Sequence, residues 1–176
     1  MTLLKIETEK TAKGTVKAVF DRFAEAIGTV PETLQLMSAS PGLFERHMGV
    51  NLYFREHPGL SFPLQCLIRY LTAAACDNGV CVRINASLLK RQGMSAEELD
   101  RVREDVSTAP LEERERALLS FVTRVISRPD SATGEDVERL RRHGWSDADI
   151  LDAVYHGVMM VSSELLTRIF KMATPV

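Results

Sequence analysis

The chain has 176 residues, 45% hydrophobic and 26% charged, with 22 basic side chains set against 24 acidic ones for a formal net charge of -2. That balance, spread along the chain without a basic cluster, offers no footing for nucleic acid or an anionic membrane, and a chain near this length buries roughly 70% of its unfolded surface in a single core. One domain spanning residues 1–176 is therefore expected, and the lack of a run approaching roughly 18 apolar residues argues against a membrane span and for a cytoplasmic protein.

Helical periodicity runs through the chain. From Thr15 to Ile27, Val16, Val19, Phe20, Phe23, Ala26 and Ile27 recur at spacings of three and four, the pattern of an amphipathic helix that Gly28 ends. Pro31 opens a short helix with Leu34 and Met37 facing inward, and Pro41 opens another whose expected apolar stripe is Leu43, Phe44, Met48, Leu52 and Tyr53. His57 and Pro58 stop it. Phe62 to about Cys76 is strongly apolar, Asp77, Asn78 and Gly79 break it, and Val80 to Gln92 follows, closed by Gly93. Ser95 with Glu98 forms a capping box for a short charged helix. Pro110 leads into a helix with Leu111, Ala117, Leu118, Phe121, Val122, Val125 and Ile126 on its buried face, ended by Pro129. Thr133 caps the next, Gly144 terminates it, and Ser146 with Asp149 caps a long closing helix. No segment shows period-two alternation between hairpin turns, so the expectation is an all-α fold of eight or nine helices.

Chemistry concentrates between Leu64 and Gln92, where all three cysteines fall. Cys81 lies in the first turn of the helix that Asp77 or Asn78 caps, where free amides and the macrodipole favour a thiolate; the plainer reading is a small buried hydrophobe. Cys76 and Cys81 straddle the elbow, and their spacing neither demands nor forbids a bridge. Cys66 and Cys76 sit about 80° apart around one helix and cannot both point at one spot. Arg69, on the same apolar helix, needs a partner or a path to water. His143 suits a helix C-terminus, His57 sits beside a proline in a linker, and His156 on the most apolar helix reads first as a hydrogen-bonded core residue. The histidines and cysteines have no metal-chelating spacing, so neither a metal nor another cofactor is expected.

Three stretches together resemble the carboxymuconolactone decarboxylase and alkylhydroperoxidase D-like superfamily, in its peroxidase-related branch, over nearly the whole chain. They are AIGTVPETLQLMSASPGLFERH, the helix–elbow–helix around Cys81, and LRRHGWSDADILDAVYHGVMMVSSELLTRIF. The family's signature runs glutamate, eleven residues, cysteine, two residues, cysteine, three residues, histidine. On that spacing Cys66 stands at the glutamate, Asn78 at the first cysteine, Cys81 at the second and Asn85 at the histidine. In active members the second cysteine attacks peroxide, the first resolves it, and the glutamate and histidine relay protons.

The resemblance implies a homo-oligomer with thiol-based antioxidant or peroxidase chemistry centred on Cys81, acting on a hydroperoxide and regenerated by an external thiol. The substitutions alter that scheme, since Asn78 forms no disulfide, Asn85 does not titrate near neutral pH, and a thiol at Cys66 has an ordinary pKa of about 8.5. If the fold holds, Cys66 faces Cys81 and the two form a rewired dithiol. The alternative is a non-catalytic oligomeric helical protein that binds a small ligand or partner in the former cavity. Lactone decarboxylation is a weaker third option, for want of an acid and base pair.

Overall fold

The computed structural model describes residues 2–172, and among them every regular element is a helix. There are nine α-helices: α1 (Gly14–Ile27), α2 (Glu32–Met37), α3 (Pro41–Arg55), α4 (Phe62–Ala75), α5 (Gly79–Arg91), α6 (Ala96–Glu104), α7 (Glu113–Ser127), α8 (Gly134–Arg142) and α9 (Asp147–Ile169). Short 3₁₀ turns at Val106–Thr108 and Pro129–Ser131 flank α7. None of these helices is long and apolar enough to cross a membrane. The chain divides into two compact units, one of residues 1–56 with 162–176, the other of residues 57–161.

In the first unit, Ala12, Val19, Phe20, Val30, Leu34 and Phe44 form a core flanked by Val16, Phe23, Ala24, Met37 and Met48. Phe20 and Phe44 meet edge to face at 6.2 Å, a favourable approach for the ring quadrupoles. Gly28 ends α1 in the left-handed region at φ 79°, where a side chain would be strained, and its amide returns to the Ala24 carbonyl. The expected stripe on α3 is corrected here. Phe44 and Phe54 are its buried residues, whereas Leu43, Leu52 and Tyr53 are exposed. The apolar residues of α3 circle the helix instead of sharing a face, so its periodicity could not say which side is covered.

The second unit is built around α4, which packs chiefly against α5 and α7. Leu64, Leu67 and Ile68 of α4, Leu89 of α5, Leu118, Leu119 and Val122 of α7 and Ala153 of α9 are fully buried. Gly157 sets the approach of α9 in this unit: a Cβ there would fall 2.3 Å from Ile126 Cδ1 and 3.2 Å from Thr72 Oγ1. The caps follow the sequence signals. Ser95 with Glu98 and Thr133 with Asp136 form reciprocal capping boxes, and Ser146 exchanges bonds with Asp149 at the start of α9.

Asp136 does more than cap α8. Its carboxylate accepts from Arg124 at 2.7 Å and Arg139 at 2.8 Å, and hydrogen bonds from Arg124 and Thr133 hold its pKa down at about 2. His57 lies in the linker before α4, as expected, and is held there. Its side chain is buried, its Nδ1 accepts from the Gly59 and Leu60 amides at 3.1 and 3.0 Å, and its Nε2 lies 3.2 Å from Asp152 Oδ2. Two amides directed at Nδ1 put the ring proton on Nε2, so His57 donates to Asp152 and ties the loop before α4 to α9.

Candidate functional site

The α4–α5 elbow arises locally. Cys76 ends α4, Asp77 takes a left-handed φ of 58°, and Asn78 starts α5. Aspartate and asparagine tolerate such backbone because their short polar side chains bond nearby amides. Of the two capping candidates, the structure uses Asn78, whose Oδ1 accepts from the Cys81 amide at 2.9 Å. Cys81 thereby sits in the first turn of α5, at the positive end of the helix, and is partly exposed.

Arg69 is the centre of the site. Its Nε–H donates to Asn85 Oδ1 at 2.7 Å, one terminal nitrogen lies 2.8 Å from His156 Nε2, and the other donates to Cys66 Sγ at 3.1 Å. Asn85 in turn donates through Nδ2 to the Cys81 carbonyl at 2.8 Å. Cys66, Arg69, Cys81, Asn85 and His156 thus come together from α4, α5 and α9, while Cys76 turns its sulfur toward the Ala73 carbonyl of its own helix. Among the described residues no disulfide joins the three cysteines. Arg69 was singled out from sequence only as a residue in need of a partner; nothing in the chain's spacing pointed to Asn85 or His156 as that partner.

Electrostatics follow from this arrangement. All three hydrogen-bonded acceptors of Arg69 are uncharged as placed, and no carboxylate forms an ion pair with it among the described residues. Burial lowers the Arg69 pKa, while the Cys66 and Cys81 sulfurs oppose that shift. Such a guanidinium favours an anion nearby, and those two sulfurs are the groups able to supply one. Burial pushes the Cys66 thiol up, with Arg69 and Gln92 opposing. Cys66 is fully buried and Cys81 is not, so a solute meets Cys81 first.

His156 is neutral. Burial first, then Arg69 and His57, push its pKa down to about 3. A neutral imidazole that accepts from Arg69 through Nε2 carries its proton on Nδ1. It is an acceptor that steers the guanidinium, in keeping with the hydrogen-bonded core role read from sequence. Among the described residues no group of three or more His, Cys, Asp or Glu side chains could hold a metal ion. A cavity of about 190 Å³ opens beside the site, lined by Pro63, Leu67, Leu89, Gln92, Met94 and Leu111 among others. Gln92 stands between this cavity and Cys66, its Nε2 3.9 Å from Cys66 Sγ.

No family model and no curated protein sequence matches the chain. Solved structures do. An alkylhydroperoxidase core, described as an uncharacterized peroxidase-related protein from Ralstonia eutropha JMP134, aligns with a TM-score of 0.77 at 19% identity, covering 99% of this chain and 92% of its own. A second uncharacterized peroxidase-related protein, from Silicibacter sp. TM1040, aligns with a TM-score of 0.74 at 17% identity over 100% of this chain and 96% of its own. The debrominase Bmp8 is similar as well, with a TM-score of 0.78 at 16% identity over 100% of this chain and 94% of its own. A cysteine-to-alanine variant of that debrominase, in complex with 2,3,4-tribromopyrrole, gives a TM-score of 0.77 at 17% identity, covering 97% of this chain and 90% of its own. The chain has the all-α fold that these alkylhydroperoxidase-core and peroxidase-related structures share.

Proposed function

We propose that the protein is a thiol-based antioxidant of the peroxidase type, with Cys81 as its nucleophile and Cys66 as its resolving thiol. The observation that carries this reading is the hairpin geometry: Arg69 donates to Cys66 Sγ at 3.1 Å and to Asn85 Oδ1 at 2.7 Å, and Asn85 donates to the Cys81 carbonyl at 2.8 Å, so one cation links the turns of two cysteines fifteen positions apart in the chain. Accessibility assigns the roles, since Cys81 meets solvent and Cys66 does not. Attack by the Cys81 thiolate on a hydroperoxide forms an S–O bond, breaks the O–O bond and yields a sulfenic acid and an alcohol. Cys66, having given its proton to the departing alkoxide, then displaces hydroxide from the sulfenic acid to form a disulfide, which an external dithiol reduces.

Treating the reduced protein with one equivalent of hydroperoxide and mapping the peptides by mass is expected to find a Cys66–Cys81 disulfide. Cys81→Ser abolishes peroxide consumption, while Cys66→Ser allows a single turnover and accumulates the sulfenic acid. Unaltered consumption in Cys81→Ser, or a wild-type protein inert to peroxide with every dithiol tried, refutes the reading. In the second case a helical protein that binds a ligand in the cavity beside Cys66 takes its place. The fold shared with a debrominase favours including brominated pyrroles as trial substrates, because a dithiol also supplies the two electrons that replace a carbon–bromine bond by carbon–hydrogen.

We also propose self-association. The support is an exposed apolar stripe on α9 within the second unit, formed by Leu151, Tyr155, Val158 and Val161 at helical spacing. Such a stripe suits the matching stripe of a second copy.

A further inference from the structure

We propose that Arg69 is the catalytic cation of this site, a guanidinium charge bonded to Cys66 and tied through Asn85 to the turn of Cys81, which replaces the titrating relay removed with the family's glutamate and histidine. The inference deepens the Cys81 reading and rests on it. Asn78, Cys66 and Asn85, the three positions that depart from the family signature, all join the framework that holds this charge. Asn78 fixes the turn that carries Cys81. Asn85 accepts from Arg69 with one end of its amide and donates to the Cys81 carbonyl with the other, so it couples the guanidinium to the nucleophile's own turn. Cys66 takes a guanidinium N–H directly.

The titratable groups that face Arg69 are Cys66 on α4, Cys81 on α5 and His156 on α9, with His57, paired to Asp152, near enough to act on His156. His156 brings no positive charge to Arg69, because it accepts its bond as a neutral ring. The guanidinium carries its charge near neutral pH. It has five N–H groups, three of them used, which leaves one on each terminal nitrogen to meet a sulfur or a departing oxygen.

The chemistry balances without a relay. The Cys81 thiolate attacks the outer peroxide oxygen, the O–O bond breaks, and the departing alkoxide takes the proton of the Cys66 thiol. Arg69 holds the resulting Cys66 thiolate, which attacks the Cys81 sulfenic acid; the S–S bond forms and hydroxide leaves. One thiolate, one thiol and one hydroperoxide give a disulfide, an alcohol and hydroxide, with two electrons passed from sulfur to oxygen.

The test is the pH dependence of Cys81 alkylation by iodoacetamide, followed by peptide mass in the full-length protein, for wild type, Arg69→Gln and Arg69→Lys. Loss of the charge is expected to raise the midpoint by about one pH unit or more, an alkylation rate about tenfold slower near pH 7, and Arg69→Lys is expected to recover most of it. A profile for Arg69→Gln superimposable on wild type overturns the proposal. Should Arg69→Gln fail to fold, Arg69→Met, which also removes the charge and keeps the apolar stem, decides on the same two outcomes. Peroxide consumption is scored separately. A wild-type protein that ignores peroxide but shows the alkylation shift defeats the peroxidase reading and leaves the Arg69 assignment standing, whereas an active enzyme without the shift defeats the assignment alone.

Discussion

Acidification from about pH 7.5 to about pH 4.5 is expected to remove about 2.5 kcal/mol of folding stability through His156 alone. In the unfolded chain this imidazole titrates at its ordinary value of 6.5; in the native protein burial, Arg69 and His57 push it down to about 3. A folded-state pKa below the unfolded one means that the unfolded chain takes up the proton first. The stability is therefore complete above about pH 6.5 and drains at about 1.4 kcal/mol per pH unit as the pH falls toward 3. Other groups act in different windows or act equally on both proteins compared. Asp136, held at about 2 against an ordinary 3.8, loses its contribution only below that range. His47, lowered by burial, moves in the same direction as His156 but is common to wild type and variant. Urea unfolding at a series of pH values, for wild type and His156→Gln, isolates the effect, because a glutamine oxygen still accepts from Arg69 and does not titrate. Wild type should lose about 2.5 kcal/mol more than the variant between the two end points. Parallel curves, agreeing within about 0.5 kcal/mol, would refute the assignment of His156 as a neutral acceptor.

Three further outcomes follow from packing. Gly157→Ala is expected to destabilise by about 1–3 kcal/mol in thermal or urea unfolding, because the new methyl meets Ile126 Cδ1 at 2.3 Å and the buried Thr72 hydroxyl at 3.2 Å. His57→Ala should cost about 1–3 kcal/mol and speed amide exchange at Gly59 and Leu60, which lose their acceptor, while leaving the caps of α6 and α8 protected. Leu151→Asp with Val158→Asp, at positions 67% and 44% exposed, should leave the helical circular dichroism intact and reduce the mass measured by light scattering. An unchanged assembly would remove the α9 stripe as the contact between copies.

Much of the fold is legible in the sequence because helix ends are decided within a few residues. The capping boxes at Ser95 and Thr133, the start of α9 at Ser146 and the glycine stop after α1 are each a local exchange of hydrogen bonds. The elbow belongs to the same class, since Asn78 reaches an amide only three residues on. The buried face of α3 was not legible: its apolar residues surround the helix, and only its neighbours decide that Phe44 and Phe54 go inward while Leu43 and Leu52 stay out.

The candidate site divides along the same line. From spacing alone, Cys66, Asn78, Cys81 and Asn85 fall together on one hairpin, and Cys81 falls in the first turn of α5. Arg69 shows in the sequence only as a charge on an apolar helix. That it joins Cys66 to Asn85, sixteen positions away, and to His156, eighty-seven away, depends on three helices meeting. The sequence alone determined where the hairpin's helices start, turn and stop, with the α5 cap narrowed to Asp77 or Asn78, since those choices rest on hydrogen bonds a few residues long. Only the tertiary structure decided which thiol is sheltered, where the cation sits and that His156 remains uncharged, because desolvation and charge proximity are properties of the assembled core and of no single segment.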